Sequence, residues 1–174
     1  MGDVTYRDEY PIEDVVVDIL AAKHLTVSTA ESCTGGLLAG RIINVPGASD
    51  VIGEGFITYS NDAKRKYLGV KKSTLKKYGA VSKQCAKEMA KGLLDATKAD
   101  VGLVTTGIAG PAGGTEEKPV GLVYIGCNVC GKIKVKKYIF EGDRRQIRES
   151  AAQKALILAR KCLIKYKMEN DKNE

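Results

Sequence analysis

Apolar positions change their period several times along the chain, and each change marks an element. Ile12, Val15, Val16, Ile19 and Leu20 recur at helical spacing behind Pro11, with acids in the first turn, so a helix starts there. Residues 25–30 are short, β-branched and alternating, and read as a strand. Residues 35–45 read as a helix ended by Pro46-Gly47, and residues 51–59 as a second strand. Ser60 is expected to cap a short helix through Leu68 that Gly69 stops, and Ser73 to cap a short turn up to Tyr78-Gly79. Ser82 opens a clearer helix, whose Ala86, Met89, Ala90, Leu93 and Leu94 form one apolar stripe. Residues 101–106 read as a strand covered on both faces. Residues 120–127 and 132–140 read as two strands joined at Cys130-Gly131. Asp143 and Gln146 stand at capping-box spacing before a long helix with Ile147, Ala151, Ala155, Leu158 and Cys162 on its apolar side. The polar tail from Lys167 is expected to fray.

Strands interleaved with helices predict an α/β fold, a three-layer α/β/α sandwich with a mixed central β-sheet. The hairpin over residues 120–140 makes the sheet mixed. The length of 174 residues favours a single domain over residues 1–174, with a core over about residues 12–165. With 44% hydrophobic and 28% charged residues, disorder is excluded. No apolar run approaches the ~18 residues of a membrane span. The first twenty residues hold Asp3, Asp8, Glu9, Glu13, Asp14 and Asp18 against Arg7, which is no secretory leader. A cytoplasmic protein without a membrane partner is expected.

Five cysteines (Cys33, Cys85, Cys127, Cys130 and Cys162) make an odd count that argues against a disulfide framework. Cys127 and Cys130 fit C-x-x-C spacing, but with one histidine in the chain a second ligand pair for zinc is hard to find, and no metal or cofactor is expected. His24, that histidine, ends the first helical pattern, where a cation suits a helix C-terminus. A hydrolase built on this chain therefore needs a base other than histidine.

In α/β sheets ligands sit beyond the carboxyl ends of the strands, which selects three loops. The first is Ala30-Glu31-Ser32-Cys33-Thr34-Gly35-Gly36, three potential nucleophiles ahead of a helix start whose free N–H groups can hold an anion or an oxyanion. An ordinary hydroxyl cap with a glycine turn accounts for the same residues equally well. The second, Thr58-Tyr59-Ser60-Asn61-Asp62-Ala63-Lys64, offers a tyrosine and a lysine that would become a base if burial made it neutral. Taken alone, Lys64-Arg65-Lys66 reads more readily as a solvated basic face. The third runs from Gly107 to Gly114, with further glycines at 110 and 113. It is neither a Walker A loop nor a Rossmann fingerprint, yet its glycines suit amides wrapped around a phosphate or carboxylate. A long surface loop is the alternative.

The net charge is +7, and residues 64–91 carry ten Lys or Arg against one acid, Glu88. That arm attracts anions. Only Tyr67 and Tyr78 lie within it, so the stacking platform of a nucleic-acid module is thin, and a nucleotide-sized ligand is favoured over a polymer.

Three segments, Ala30 to Gly36, Gly55-Phe56-Ile57-Thr58-Tyr59-Ser60-Asn61-Asp62-Ala63-Lys64 and Gly79-Ala80-Val81-Ser82, resemble the CinA C-terminal domain family. So does Gly107-Ile108-Ala109-Gly110-Pro111 with Gly113-Gly114 and Glu117-Lys118-Pro119-Val120-Gly121. The likeness runs over about residues 12–165. It implies a nicotinamide-nucleotide amidase, which hydrolyses nicotinamide mononucleotide to nicotinic acid mononucleotide and ammonia in pyridine-nucleotide salvage. It also implies a serine nucleophile assisted by tyrosine and lysine, at Ser32, Tyr59 and Lys64. The substrate is then expected on Thr34, Gly35, Gly36, Thr106, Gly107, Gly110, Gly113, Gly114, Arg144 and Arg145, and a homo-oligomer is expected. Larger CinA proteins also carry an N-terminal molybdopterin-binding-like domain, which this chain lacks, so it looks like the stand-alone form. The alternatives are an inactive nucleotide-binding member of the family and a competence- or DNA-related accessory protein.

Overall fold

The computed structural model describes residues 10–166. The elements run α1 (Ile12–Ala22), β1 (Val27–Glu31), α2 (Leu37–Ile43), a short 3-10 helix (Ala48–Asp50), β2 (Ile52–Ile57), α3 (Asn61–Leu68) and α4 (Lys72–Tyr78). They continue with α5 (Lys83–Thr97), β3 (Val101–Gly107), β4 (Leu122–Val129), β5 (Lys132–Ile139) and α6 (Arg144–Lys165). The tail expected to fray from Lys167 lies outside the described residues.

The five strands form one sheet in the order β2-β1-β3-β4-β5. β1 pairs parallel with β2 and β3, whereas β4 and β5 pair antiparallel, so the sheet is mixed. One face carries α1, α2 and α6 over a core that includes Leu20, Leu38, Leu103, Ile125 and Leu156. The other carries α3, α4 and α5 over Ala30, Leu68, Met89, Leu93 and Val104. Leu103 and Val104 point to opposite faces, as successive strand residues must, and both are fully buried. The result is a three-layer α/β/α sandwich.

Several element ends differ from the sequence reading, each for a local reason. The helix expected over residues 35–45 starts only at Leu37, because Gly35 (φ 57°) and Gly36 (φ 97°) take left-handed backbone and form a turn. Ser73 does not cap α4; it lies inside the first turn, and the helix start is met from α5 instead. There the Lys71 amide donates to Glu88 Oε2 at 2.8 Å, and Thr74 Oγ1 donates to Glu88 Oε1 at 2.6 Å. The single acid of the basic arm thus docks α4 onto α5. The strand expected from residue 120 begins at Leu122, because the Gly121 amide turns back to Ile108 O (2.8 Å) to close the loop after β3.

The register puts Glu31 level with Ile57 of β2 and Thr105 of β3. The carboxyl ends of the three parallel strands therefore coincide, and the loops that follow them share one end of the sheet.

Candidate active site

Ser32 is the first residue beyond β1, and the sheet holds its backbone. Its amide donates to Thr105 O at 3.0 Å, while the Thr58 amide donates to Glu31 O at 2.8 Å. On the next loop Ser60 caps α3 by accepting from the Ala63 amide at 3.0 Å, and Gly69 closes the helix in left-handed backbone. The helix so bounded turns Lys64 inward. Lys64 is 1% exposed, between sheet and α5, while Arg65 and Lys66 point to solvent.

Lys64 Nζ has three oxygens around it: Thr58 O at 2.7 Å, Ser32 Oγ at 3.0 Å and Tyr59 O at 3.4 Å. Among the described residues no carboxylate pairs with it. Burial is the main influence on this amine and lowers its pKa; the nearby thiols of Cys85 and Cys33 oppose the shift. An ammonium would donate to all three oxygens. A neutral amine keeps two N–H groups on the two carbonyls and turns its lone pair to the Ser32 hydroxyl, which then donates. The arrangement therefore matches a serine with a base beside it. Cys33, the neighbouring nucleophile candidate, is buried, and burial pushes its thiol up to about 11.

Glu31 shapes the turn. Its buried carboxylate accepts from Thr34 Oγ1 (2.6 Å) and from the amides of Gly36 (3.0 Å), Leu38 (3.0 Å) and Ala39 (2.8 Å). It thereby caps α2 from inside the protein and occupies the helix-start donors that the sequence suggested for an anion. The Thr34 hydroxyl is fully buried and shared between Glu31 and Thr105. The Ser32 and Leu37 amides go to backbone carbonyls, and those of Thr34 and Gly35 have no hydrogen-bond partner among the described residues.

Arg148 completes the turn from α6. Its Nε donates to Cys33 O at 3.0 Å and its Nη2 to Thr34 O at 2.8 Å. One turn earlier Arg144 bridges two loops, with Nη1 donating to Gly110 O at 2.9 Å and Nη2 to the Tyr59 phenol at 3.1 Å. The Tyr59 side chain is largely exposed at the rim and is held by Arg144, not by Ser32 or Lys64. Arg145 points to solvent and pairs with Glu149 at 2.8 Å. Thr106 is buried, its hydroxyl donating to Ala80 O at 2.9 Å, which ties β3 to the segment before α5.

The loop after β3 owes three of its glycines to close packing. A Cβ at Gly107 would stand 2.6 Å from Val123, one at Gly110 2.5 Å from Val120, and one at Gly114 2.8 Å from the Val120 amide. At Gly113 a Cβ would meet only an ordinary contact, Ile108 at 3.8 Å, and the residue lies exposed. A cavity of ≈ 660 Å³ lies beside this constellation, between β2 and α2, with Glu31, Gly36, Phe56 and Ile57 on its wall. His24 is exposed ahead of β1, at the other end of the sheet. Cys127 is buried in β4 while Cys130 is exposed in the turn. Among the described residues no three His, Cys, Asp or Glu gather as a metal site.

Sequence reasoning did not single out Glu31, Arg148 or the Thr58 carbonyl. The signal for Arg148 was present: four residues after Arg144, it falls on the same face of α6. A buried glutamate inside a strand leaves no comparable trace.

Residues 9–163 match the family model of the CinA C-terminal domain. A putative competence-damage inducible protein of Clostridium novyi is 52% identical over 166 residues, covering 95% of this chain and 40% of that protein. A CinA-like protein of Kosmotoga olearia is 56% identical over 165 residues, again covering 40% of its own length. The chain thus spans about two fifths of these relatives. Among solved structures, the competence/damage inducible protein CihA of Agrobacterium tumefaciens is 40% identical with a TM-score of 0.84, covering 91% of this chain and 100% of that one. The competence damage-inducible protein A of Klebsiella pneumoniae is 33% identical with a TM-score of 0.87, covering 90% and 97%.

Proposed function

The chain belongs to the CinA C-terminal domain family, and from that premise we propose that it is an amidohydrolase converting nicotinamide mononucleotide and water to nicotinic acid mononucleotide and ammonia. The observation that carries this reading is the buried Lys64 amine, 3.0 Å from Ser32 Oγ and without a carboxylate partner among the described residues. A serine needs a base, the chain's one histidine is remote, and this amine is the group in place. Ser32 attacks the carboxamide carbon and passes its proton to Lys64 Nζ. Lys64 returns the proton to the departing nitrogen, and ammonia leaves. Water then enters, loses a proton to Lys64 and attacks the ester; the Ser32 oxygen leaves and takes that proton back from Lys64. The free amides of the turn, at Thr34 and Gly35, are the donors assigned to the oxyanion. The cationic pyridinium withdraws electrons from its carboxamide and lowers the barrier.

Tyr59 and Arg144 form a rim that links two of the three loops. In this reading Arg144 is the cation for the phosphate, and Gly113 the point where a ligand reaches the loop backbone. The reaction uses no cofactor. Incubation of the purified chain with nicotinamide mononucleotide, with ammonia and the acid product measured together, tests the reading. Equal amounts of the two support it, and neither product over a long incubation rejects it.

A second reading has a specific observation behind it: the names of the relatives speak of competence and damage. The basic arm over residues 64–91 is the surface such an accessory role would use. DNA binding at near-physiological salt, with a steep salt dependence, would favour it. An inactive member would bind the mononucleotide without turning it over.

A further inference from the structure

At the opposite end of α6 from Arg144, a second group of reactive atoms lies where the amidase reading has no use for it. Cys162 on α6 packs against the core cluster that holds Cys127 of β4, and the two thiols influence each other's ionisation. Cys127 is fully buried, whereas Cys162 is half-buried and lines a cavity of ≈ 180 Å³. Four lysines, Lys132, Lys134, Lys161 and Lys165, line the same cavity, with Tyr166 closing one side. Among the described residues no Asp or Glu lines it. A thiol that opens on a ring of cations and has a second, shielded thiol behind it has the layout of an attacking and a resolving cysteine.

We infer that Cys162 and Cys127 form an exchangeable dithiol that reacts with small anionic disulfides, Cys162 attacking from the lysine-lined cavity and Cys127 resolving. The Cys162 thiolate attacks one sulfur of the reagent R–S–S–R. The Cys162–S–R bond forms, the reagent's S–S bond breaks, and one RS⁻ leaves. Cys127 then attacks Cys162 Sγ and yields its proton to the second departing RS⁻. Two protein thiols lose two electrons, and one small disulfide becomes two thiols. The surroundings favour this division of labour. The Cys127 thiol brings Cys162 down to about 7, with Lys134 and Lys165 adding to the effect, while Cys162 and burial hold Cys127 well above the usual thiol range. The bridge would staple β4 to α6, away from Ser32, and it stands independently of the chemistry proposed there.

Oxidised glutathione is the probe, used on the full chain at neutral pH with intact mass and peptide mapping as readouts. The wild-type chain should lose two hydrogens in mass and show a Cys127–Cys162 peptide pair. Cys162 should react about ten-fold faster than Cys130, although Cys130 is the exposed thiol. An uncharged disulfide such as hydroxyethyl disulfide should lose that advantage, and so should glutathione at high salt. Cys127→Ser should stop at the mixed disulfide on Cys162, and Cys162→Ser should protect Cys127. Faster labelling of Cys130, or a mixed disulfide on wild-type Cys162 that never resolves, would overturn the inference. The wild-type measurements decide it even if the buried Cys127→Ser variant fails to fold.

Discussion

Lys64 Nζ stands 3.0 Å from Ser32 Oγ although 32 residues separate the two in sequence. The contact joins the loop after β1 to the first turns of α3, and the sheet register sets it. Because Glu31 is level with Ile57, the residue after each strand end faces the other.

The pH dependence follows from the sign of the Lys64 shift. Its folded pKa is lowered from 10.5, chiefly by burial, so the unfolded chain binds more protons between the two values. Stability from this group is thus least below the folded pKa, rises with pH through it, and levels off near the unfolded value. Lys64→Met should flatten that rise, which urea titrations of both chains at several alkaline pH values would show. Activity should rise with pH through the same folded pKa, as the neutral amine becomes populated. Lys64→Arg keeps a cation that cannot release its proton and should be inactive within about three orders of magnitude of detection. A Lys64→Arg enzyme with substantial turnover would restrict Lys64 to an electrostatic part.

Arg144 and Arg145 are adjacent and should behave differently. Arg144 holds Gly110 and Tyr59, whereas Arg145 pairs with Glu149 in solvent. Arg144→Ala should raise KM for nicotinamide mononucleotide by about ten-fold or more, and Arg145→Ala should leave it within about two-fold. Nicotinamide riboside, which lacks the phosphate, should be a poor substrate for the wild type and should respond little to Arg144→Ala. Steady-state constants for both substrates at fixed salt separate these outcomes.

Glu31→Ala should unfold the turn. It removes one carboxylate from four donors, three of them backbone amides, of which that of Leu38 is buried and those of Gly36 and Ala39 are half-buried. A loss of about 3 kcal/mol in unfolding free energy is expected, together with loss of activity. Denaturant midpoints measure the first, and the ammonia assay the second. A stable Glu31→Ala chain would show that the turn is held by Arg148 and the sheet alone.

The elements that could be read from sequence are those with local chemistry. Ser60 and Gly69 bound α3, and Asp143 with Gln146 forms the capping box of α6, all as their spacing predicts. The two strands and the turn of the β4–β5 hairpin were legible as well, although β4 runs from Leu122 to Val129 rather than over residues 120–127. Lys64 was harder, because in Lys64-Arg65-Lys66 its burial depends on which face of α3 meets the sheet. Leu68, four residues on and also buried, carries that information. Glu31 could not be found this way. In sequence it stands in the loop after residues 25–30, and its burial rests on donors from Thr34, Gly36, Leu38 and Ala39 that only the folded turn brings together.

The identity of the nucleophile tests the account most directly. Ser32 and Cys33 are adjacent, but the Lys64 amine bonds Ser32, and burial keeps the Cys33 thiol protonated at neutral pH. Ammonia release from nicotinamide mononucleotide should be measured for the wild type, Ser32→Ala and Cys33→Ala, each checked for folding. The account predicts a loss of about 10³-fold or more in Ser32→Ala and near-full activity in Cys33→Ala. Activity that survives Ser32→Ala and disappears in Cys33→Ala would contradict it.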